Sequence, residues 1–182
     1  VRYNSSVVSG KEWINAFVEE SGNSVWAKVD IRVPGLTGLW GSWYSFYNDK
    51  CDVEDCSGYK HEDFYNVLPW VKERFDYIAY LYHEKFPTAA WLVVTDGSLS
   101  LGGLYDYKNT WNPPHTYHRM GTDIDVRSWS IAKKNREGFE RIVCKKGFGY
   151  PKLEFDGLPN EHYHLYFFPY TSKAGNLCDA YK

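Results

Sequence analysis

The chain is 182 residues long, 43% apolar and 24% charged, enough for one domain with its own core and too balanced for a disordered or collagen-like chain. Its net charge is −2 and its Lys and Arg residues are scattered, so it lacks the basic stripe by which a nucleic-acid binder attracts phosphate. No apolar run approaches the roughly 18–20 residues of a membrane-spanning helix.

In chain order, Trp13, Ile14 and Phe17 fall on one face of a short helix predicted over residues 11–20. Val25 to Val33 alternates apolar and polar positions, the mark of a half-buried strand, and Pro34-Gly35 ends it. The aromatic stretch Trp40 to Tyr47 follows as a loop or irregular strand. Residues 62–85 repeat apolar side chains at three-to-four spacing (Phe64, Val67, Leu68, Val71, Phe75, Ile78, Leu81, Tyr82), which predicts the longest helix. Pro69 either kinks it or marks a fresh start, and Pro87 stops it. Ala89 to Thr95 reads as a buried strand, and residues 135–146 as a second amphipathic helix carrying Phe139, Ile142 and Val143. Two more apolar strands, Thr122 to Val126 and His162 to Phe168, carry polar residues at chosen positions.

Strands and helices in separate runs predict an α+β fold with a mainly antiparallel central sheet flanked by helices. No linker or internal repeat divides the sequence, so residues 1–182 read as a single domain. Residues 1–60 form an aromatic-rich N-terminal extension of unassigned role, and residues 61–182 form the core with the site residues. The aromatic fraction is 19%, with 8 Trp, 16 Tyr and 10 Phe against a single Met. Large rings padding a small core and a surface that stacks on sugar rings both fit that figure. The sequence is silent on oligomeric state.

Four cysteines allow three pairings. Cys51 and Cys56 bracket a short acidic loop, which leaves Cys144 and Cys178 as the second bridge. Free thiols or a four-cysteine zinc site are the alternatives, but such a site wants two close pairs, and Cys144 and Cys178 are far apart in sequence. Disulfides imply an oxidising, extracellular or periplasmic compartment. The sequence opens on Val1 with no leader-type segment, the expectation for a mature or excised domain.

Four of the six histidines fall in two tight groups, His115-Thr-Tyr-His118 and His162-Tyr-His164, and the first runs into Gly121-Thr-Asp123-Ile-Asp125. Imidazole and carboxylate are the usual zinc ligands where cysteine is absent, and three of them with an open fourth position make a catalytic site. His118, Asp125 and His164 supply that set. In a strand, residues of equal parity share a face, so His162 points with His164 and Asp123 with Asp125. His118 and Asp125 have opposite parity, so the chain must turn between them, and Gly121 is the permissive residue there. A single buried His or Asp is commonly a satisfied structural residue. Six titratable groups on two short apolar segments would cost several kcal/mol to bury without partners or a metal. His61 and His83 lack such company and read as surface residues.

The run His115-x2-His118-x2-Gly121-x-Asp123-x-Asp125, followed by His162-x-His164, resembles the LAS zinc metallopeptidases. These include lysostaphin-type enzymes, D-Ala-D-Ala peptidases and hedgehog amino-terminal domains. The penicillin-insensitive murein endopeptidase branch has a similar run with a Gly-Gly upstream, as Gly102-Gly103 stands here. Glu161-His-Tyr-His164 fits the Glu-x-x-His ending of the D-Ala-D-Ala peptidase branch, although Thr116 replaces that branch's Ser. The resemblance covers about residues 95–168; residues 1–60 take no part in it.

That resemblance implies Zn2+ held by His118, Asp125 and His164 in a hedgehog- or D-Ala-D-Ala-peptidase-like fold. It also implies a secreted peptidase acting on the peptide crosslinks of bacterial peptidoglycan. Two neighbours qualify as general base: strand parity favours His162, and the Glu-x-x-His pattern favours Glu161 if the strand begins after it. His115 is expected to assist the substrate carbonyl or support a ligand, and Asp123 to orient a ligand histidine. Arg119 and Arg127 are oxyanion candidates by proximity in sequence. Trp40 to Tyr47 and Trp111 are candidates to line a substrate groove. A metal-retaining binding domain of hedgehog type, another His/Asp metallohydrolase and a glycan-binding module are the competing readings.

Overall fold

A computed structural model describes residues 9–47, 64–103, 118–145, 148–169 and 178–179. Its centre is a five-stranded sheet of β4 (Tyr44–Phe46), β6 (Leu92–Asp96), β7 (Asp123–Arg127), β9 (His162–Tyr166) and β8 (Tyr150–Glu154), in the spatial order β4-β6-β7-β9-β8. Only the β4–β6 pair is parallel; the other three pairings are antiparallel. Two α-helices, α1 (Pro69–Lys85) and α2 (Arg136–Cys144), flank it. The fold is therefore α+β with a mainly antiparallel sheet.

The two faces of the sheet have different chemistry because side chains alternate along each strand. Ile124 and Val126 of β7 and Tyr163 and Leu165 of β9 are wholly buried with Val71, Phe75 and Ile78 of α1 and Phe139 and Val143 of α2. Aromatic edges fix the helices to this layer, Phe75 against Tyr44 and Phe139 against Tyr163. The intervening residues, Asp123 and Asp125 on β7 and His162 and His164 on β9, share the opposite face. The register pairs Asp125 with His164 and Arg127 with His162, then His164 with Lys152 and His162 with Glu154.

A β-bulge breaks the β6–β7 ladder. Val94 pairs with Val126 and Asp96 with Asp125, so two residues of β6 advance against one of β7, with Thr95 as the extra residue. Before the bulge β6 serves the core through Leu92 and Val94. After it, Asp96 joins the face of Asp125 instead of turning toward the helices.

Helix α1 starts at Pro69, its first-turn residue, where proline's missing amide is no loss. Phe64 to Leu68 precede the helix as an extended segment that contains β5 (Asn66–Val67). This segment pairs with β3 (Thr37–Gly38), bridges Ser98 through Asn66, and donates the Leu68 amide to the Gly121 carbonyl at 2.9 Å. The fresh start at Pro69 is thus the form the sequence takes.

The helix expected over residues 11–20 is a strand. β1 (Gly10–Val18) pairs residue for residue with β2 (Asn23–Ile31), and Gly22 closes the connection with φ +69°. The spacing of Trp13, Ile14 and Phe17 suits a helix face, but the Glu19-Glu20-Ser21-Gly22 turn brings a β-rich partner within reach, and strand pairing wins. β2 is less buried than its alternation suggests: Val25 and Trp26 are largely exposed, as are Trp13 and Phe17 of β1. Pro34-Gly35 does end the segment in a turn. Residues 37–47, placed by the sequence reading in the N-terminal extension, contribute β3, β4 and the core side chains Leu39 and Tyr44.

Cys144, at the end of α2, is bridged to Cys178 with Cα atoms 5.5 Å apart. Cys51, Cys56, His61, Trp111 and His115 lie outside the described residues.

Candidate metal centre

His118 opens a single 3-10 turn (His118–Met120), Gly121 follows with φ +69°, and β7 begins at Asp123. A side chain at Gly121 would meet Leu36 Cδ2 at 2.4 Å and the Leu68 amide nitrogen at 3.1 Å. Glycine therefore serves both the left-handed turn and the close approach of the chain ahead of α1. The turn resolves the parity conflict: His118 comes from the turn and Asp125 from the strand, and their side chains meet.

The meeting is close and buried. His118 Nε2 lies 3.3 Å from Asp125 Oδ2, and His164 Nδ1 lies 2.8 Å from Asp125 Oδ1. All three residues are no more than 3% exposed. One ligand atom from each falls within 4.8 Å of the others, so the trio can hold a metal ion. Two atoms bound at about 2.0–2.1 Å to a tetrahedral zinc stand roughly 3.3–3.4 Å apart, which matches the His118–Asp125 separation. Asp125 Oδ1, despite its short approach to His164, is left without a well-aligned hydrogen bond. Two imidazoles and a carboxylate gathered in this way make a donor set suited to a divalent metal ion.

Supporting groups surround the trio. Asp123 Oδ1 stands 3.5 Å from His164 Nε2, while its Oδ2 accepts the Thr122 hydroxyl at 2.7 Å. That carboxylate lies on the Nε2 side of the ring and leaves Nδ1 as the nitrogen turned toward Asp125. Burial lowers the His164 pKa, but contacts with Asp123 and Asp125 more than offset that and raise it to about 9. Burial likewise opposes charge on His118, and the Asp125 carboxylate, aided by Asp96, raises it. Asp125 is pushed up by burial, yet His118 and His164 hold it well below the usual carboxylate range. The centre is a concentration of negative charge balanced by protons that a cation would replace.

His162 sits at the rim. Its Nε2 is 3.3 Å from Asp125 Oδ2 and 3.7 Å from Glu154 Oε2, and its Nδ1 meets the Asn160 carbonyl at 2.8 Å. Donation from Nδ1–H to that carbonyl leaves the Nε2 lone pair facing the site. Glu161 does not join it. Strand β9 does begin after Glu161, but this carboxylate accepts from the Ser128 hydroxyl, the Arg136 guanidinium and the Gly157 amide. Those bonds pin the 155–160 turn to the start of α2.

Neither a protein-family model nor a curated protein matches this sequence.

Of the other expected residues, Arg127 places its guanidinium over the Tyr47 ring, 4.7 Å from the centroid. Arg119 carries the carbonyl that receives the Gly103 amide at 2.9 Å. Within the aromatic stretch, Tyr44 is buried against Phe75, Trp43 stacks on His83, and Trp40 projects into solvent. Tyr47 lies beneath Arg127 at the end of β7. His83 is therefore half-buried under Trp43 instead of free on the surface. Sequence reading missed Asp96 and Glu154. Asp96 had a signal, a carboxylate at the end of a buried apolar strand, but the bulge that turns it inward had none. Glu154 had no local signal, because only the β8–β9 register brings it to His162.

Proposed function

We propose that the chain is a zinc-dependent peptidase hydrolysing the peptide crosslinks of bacterial peptidoglycan outside the cytoplasm. The observation that carries this is the buried His118–Asp125–His164 trio with the Nε2 of His162 beside it. The trio is a three-ligand set with a histidine placed to exchange protons at the remaining position. The Cys144–Cys178 bridge supports an oxidising compartment, secreted or periplasmic. No described helix is long and apolar enough to cross a membrane.

When bound, zinc polarises the scissile carbonyl and makes a water acidic enough to attack near neutral pH. The chain's own residues do the rest. His118, Asp125 and His164 hold the ion, and Asp123 keeps the His164 ring in its ligating orientation. His162, with its tautomer set by the Asn160 carbonyl, takes the proton of the attacking water at Nε2 and returns it to the leaving amine. Such proton transfer is typically worth about 10²–10⁴-fold. Glu161, with both oxygens engaged elsewhere, is left to hold the turn before β9.

Elemental analysis of protein purified without chelator is expected to find one zinc per chain, lost in His164→Ala. Mass analysis of purified crosslinked peptidoglycan is then expected to show released muropeptides. The variant His162→Ala should keep zinc and lose about 10²-fold or more in rate. Zinc without product in every crosslinked substrate would leave the second reading, a hedgehog-like binding domain. The occupied carboxylate of Glu161 favours that reading to the extent that it removes one of the two bases. No zinc at all would end both.

A further inference from the structure

We propose that Glu154, His162 and His164 form a second coordination site at the rim of the centre, sharing His164 with the buried trio, so that one ion can occupy either place. This rests on the zinc reading above. The ligand atoms of the three residues lie within 4.8 Å of one another, as those of the buried trio do. Cross-strand register creates the cluster: Glu154 stands opposite His162 on β8, and His164 follows two residues along the same face of β9.

Glu154 turns Oε2 to the cluster while its Oε1 pairs with the Lys152 ammonium at 2.9 Å, so an ion at the rim competes with that ammonium for the carboxylate. The Asn160 carbonyl directs the His162 Nε2 lone pair inward, and Glu154 Oε2 stands 3.7 Å from that nitrogen. The Glu154 side chain is 23% exposed and that of His162 13%, against 2–4% for the side chains of the buried trio. The buried site needs a path by which a hydrated ion arrives. The rim trio supplies it: two donors that meet solvent and a third, His164, that already belongs to the inner set. A neutral imidazole has one lone pair to give, so His164 serves one ion at a time and the two places compete. An ion held at the rim also occupies Nε2 of His162, the atom assigned to proton transfer.

Zinc alone, titrated against a competing chelator into the full chain, tests this. Wild-type protein should bind one zinc. His118→Gln should still bind one, about 10–100-fold more weakly, and His164→Ala and the double variant His118→Gln/Glu154→Gln should bind none. Loss of all zinc in a His118→Gln protein of unchanged melting temperature would overturn the rim site and leave the buried one standing. Absence of zinc from the wild type would instead sink the metal reading itself. Two zincs per wild-type chain would contradict the shared ligand. Should His118→Gln fail to fold, Glu154→Gln on the edge strand is read by the rate of zinc uptake into metal-free protein. A fall of about tenfold is expected, and an unchanged rate would refute the proposal.

Discussion

Glu161 receives hydrogen bonds from the Gly157 amide, the Ser128 hydroxyl and the Arg136 guanidinium, and these hold its carboxyl down at about 2 against the effect of burial. Its contribution to stability is present above the ordinary carboxylate value and is lost as pH falls through about 2. Glu161→Gln should cost about 1–3 kcal/mol in denaturant unfolding at neutral pH while zinc binding persists. Lost hydrolysis at unchanged stability would instead make Glu161 the base. His164 has the opposite sign. With its pKa raised to about 9 in metal-free protein, its protonated form stabilises the fold below about pH 6.5, and that support fades as pH rises through 9. Chelator-treated protein should therefore melt at a lower temperature at pH 9.5 than at pH 7, with the slope reduced in His164→Gln. Zinc affinity should rise over the same window, because the ion displaces that proton. At Gly121, the left-handed backbone and the contact with Leu36 predict that Gly121→Ala costs about 1–2 kcal/mol and weakens zinc binding by moving His118.

Elements were legible where local pattern and tertiary partner agree. Strands β7 and β9 needed only alternation, which already placed His162 with His164 and Asp123 with Asp125 on one face. α2 follows from apolar spacing, whereas in α1 that spacing ran back through Phe64 to Leu68, which are extended, and only the fresh-start option at Pro69 fits. Residues 11–20 were not legible, because Trp13, Ile14 and Phe17 satisfy a helix as well as a strand and the choice is made by pairing with Asn23–Ile31. The site splits along the same line. His118, Asp125 and His164 were readable from spacing, whereas Glu154 and Asp96 arrive by register and bulge, which are relations between strands. The β1–β2 hairpin exposes Trp13 and Trp26 on one face, with Lys28 over the Trp13 ring. Its aromatic face lies outside the buried core, so Trp13→Ser with Trp26→Ser should change unfolding free energy by less than about 1 kcal/mol and leave zinc affinity unchanged. A larger loss of stability would show that this face packs on the body of the protein.

Among the described residues, the two α-helices cover one face of the five-stranded sheet and the metal-ligand candidates occupy the other. The Cys144–Cys178 bridge spans 34 residues, including β8 and β9. Loop-closure entropy puts the cost of Cys178→Ser at about 2–4 kcal/mol in equilibrium unfolding. Unchanged stability would mean that packing alone holds the segment. The origin of the ligands has a mechanical consequence. Asp125 and His164 ride on neighbouring strands of one rigid sheet, as do His162 and Glu154 at the rim, whereas His118 arrives on a separate turn. A bound ion is therefore a rivet between a turn and a plate. Its removal loosens one side of the joint, so amide hydrogen exchange should quicken at Arg119 to Thr122 on chelation and hold steady along β7 and β9.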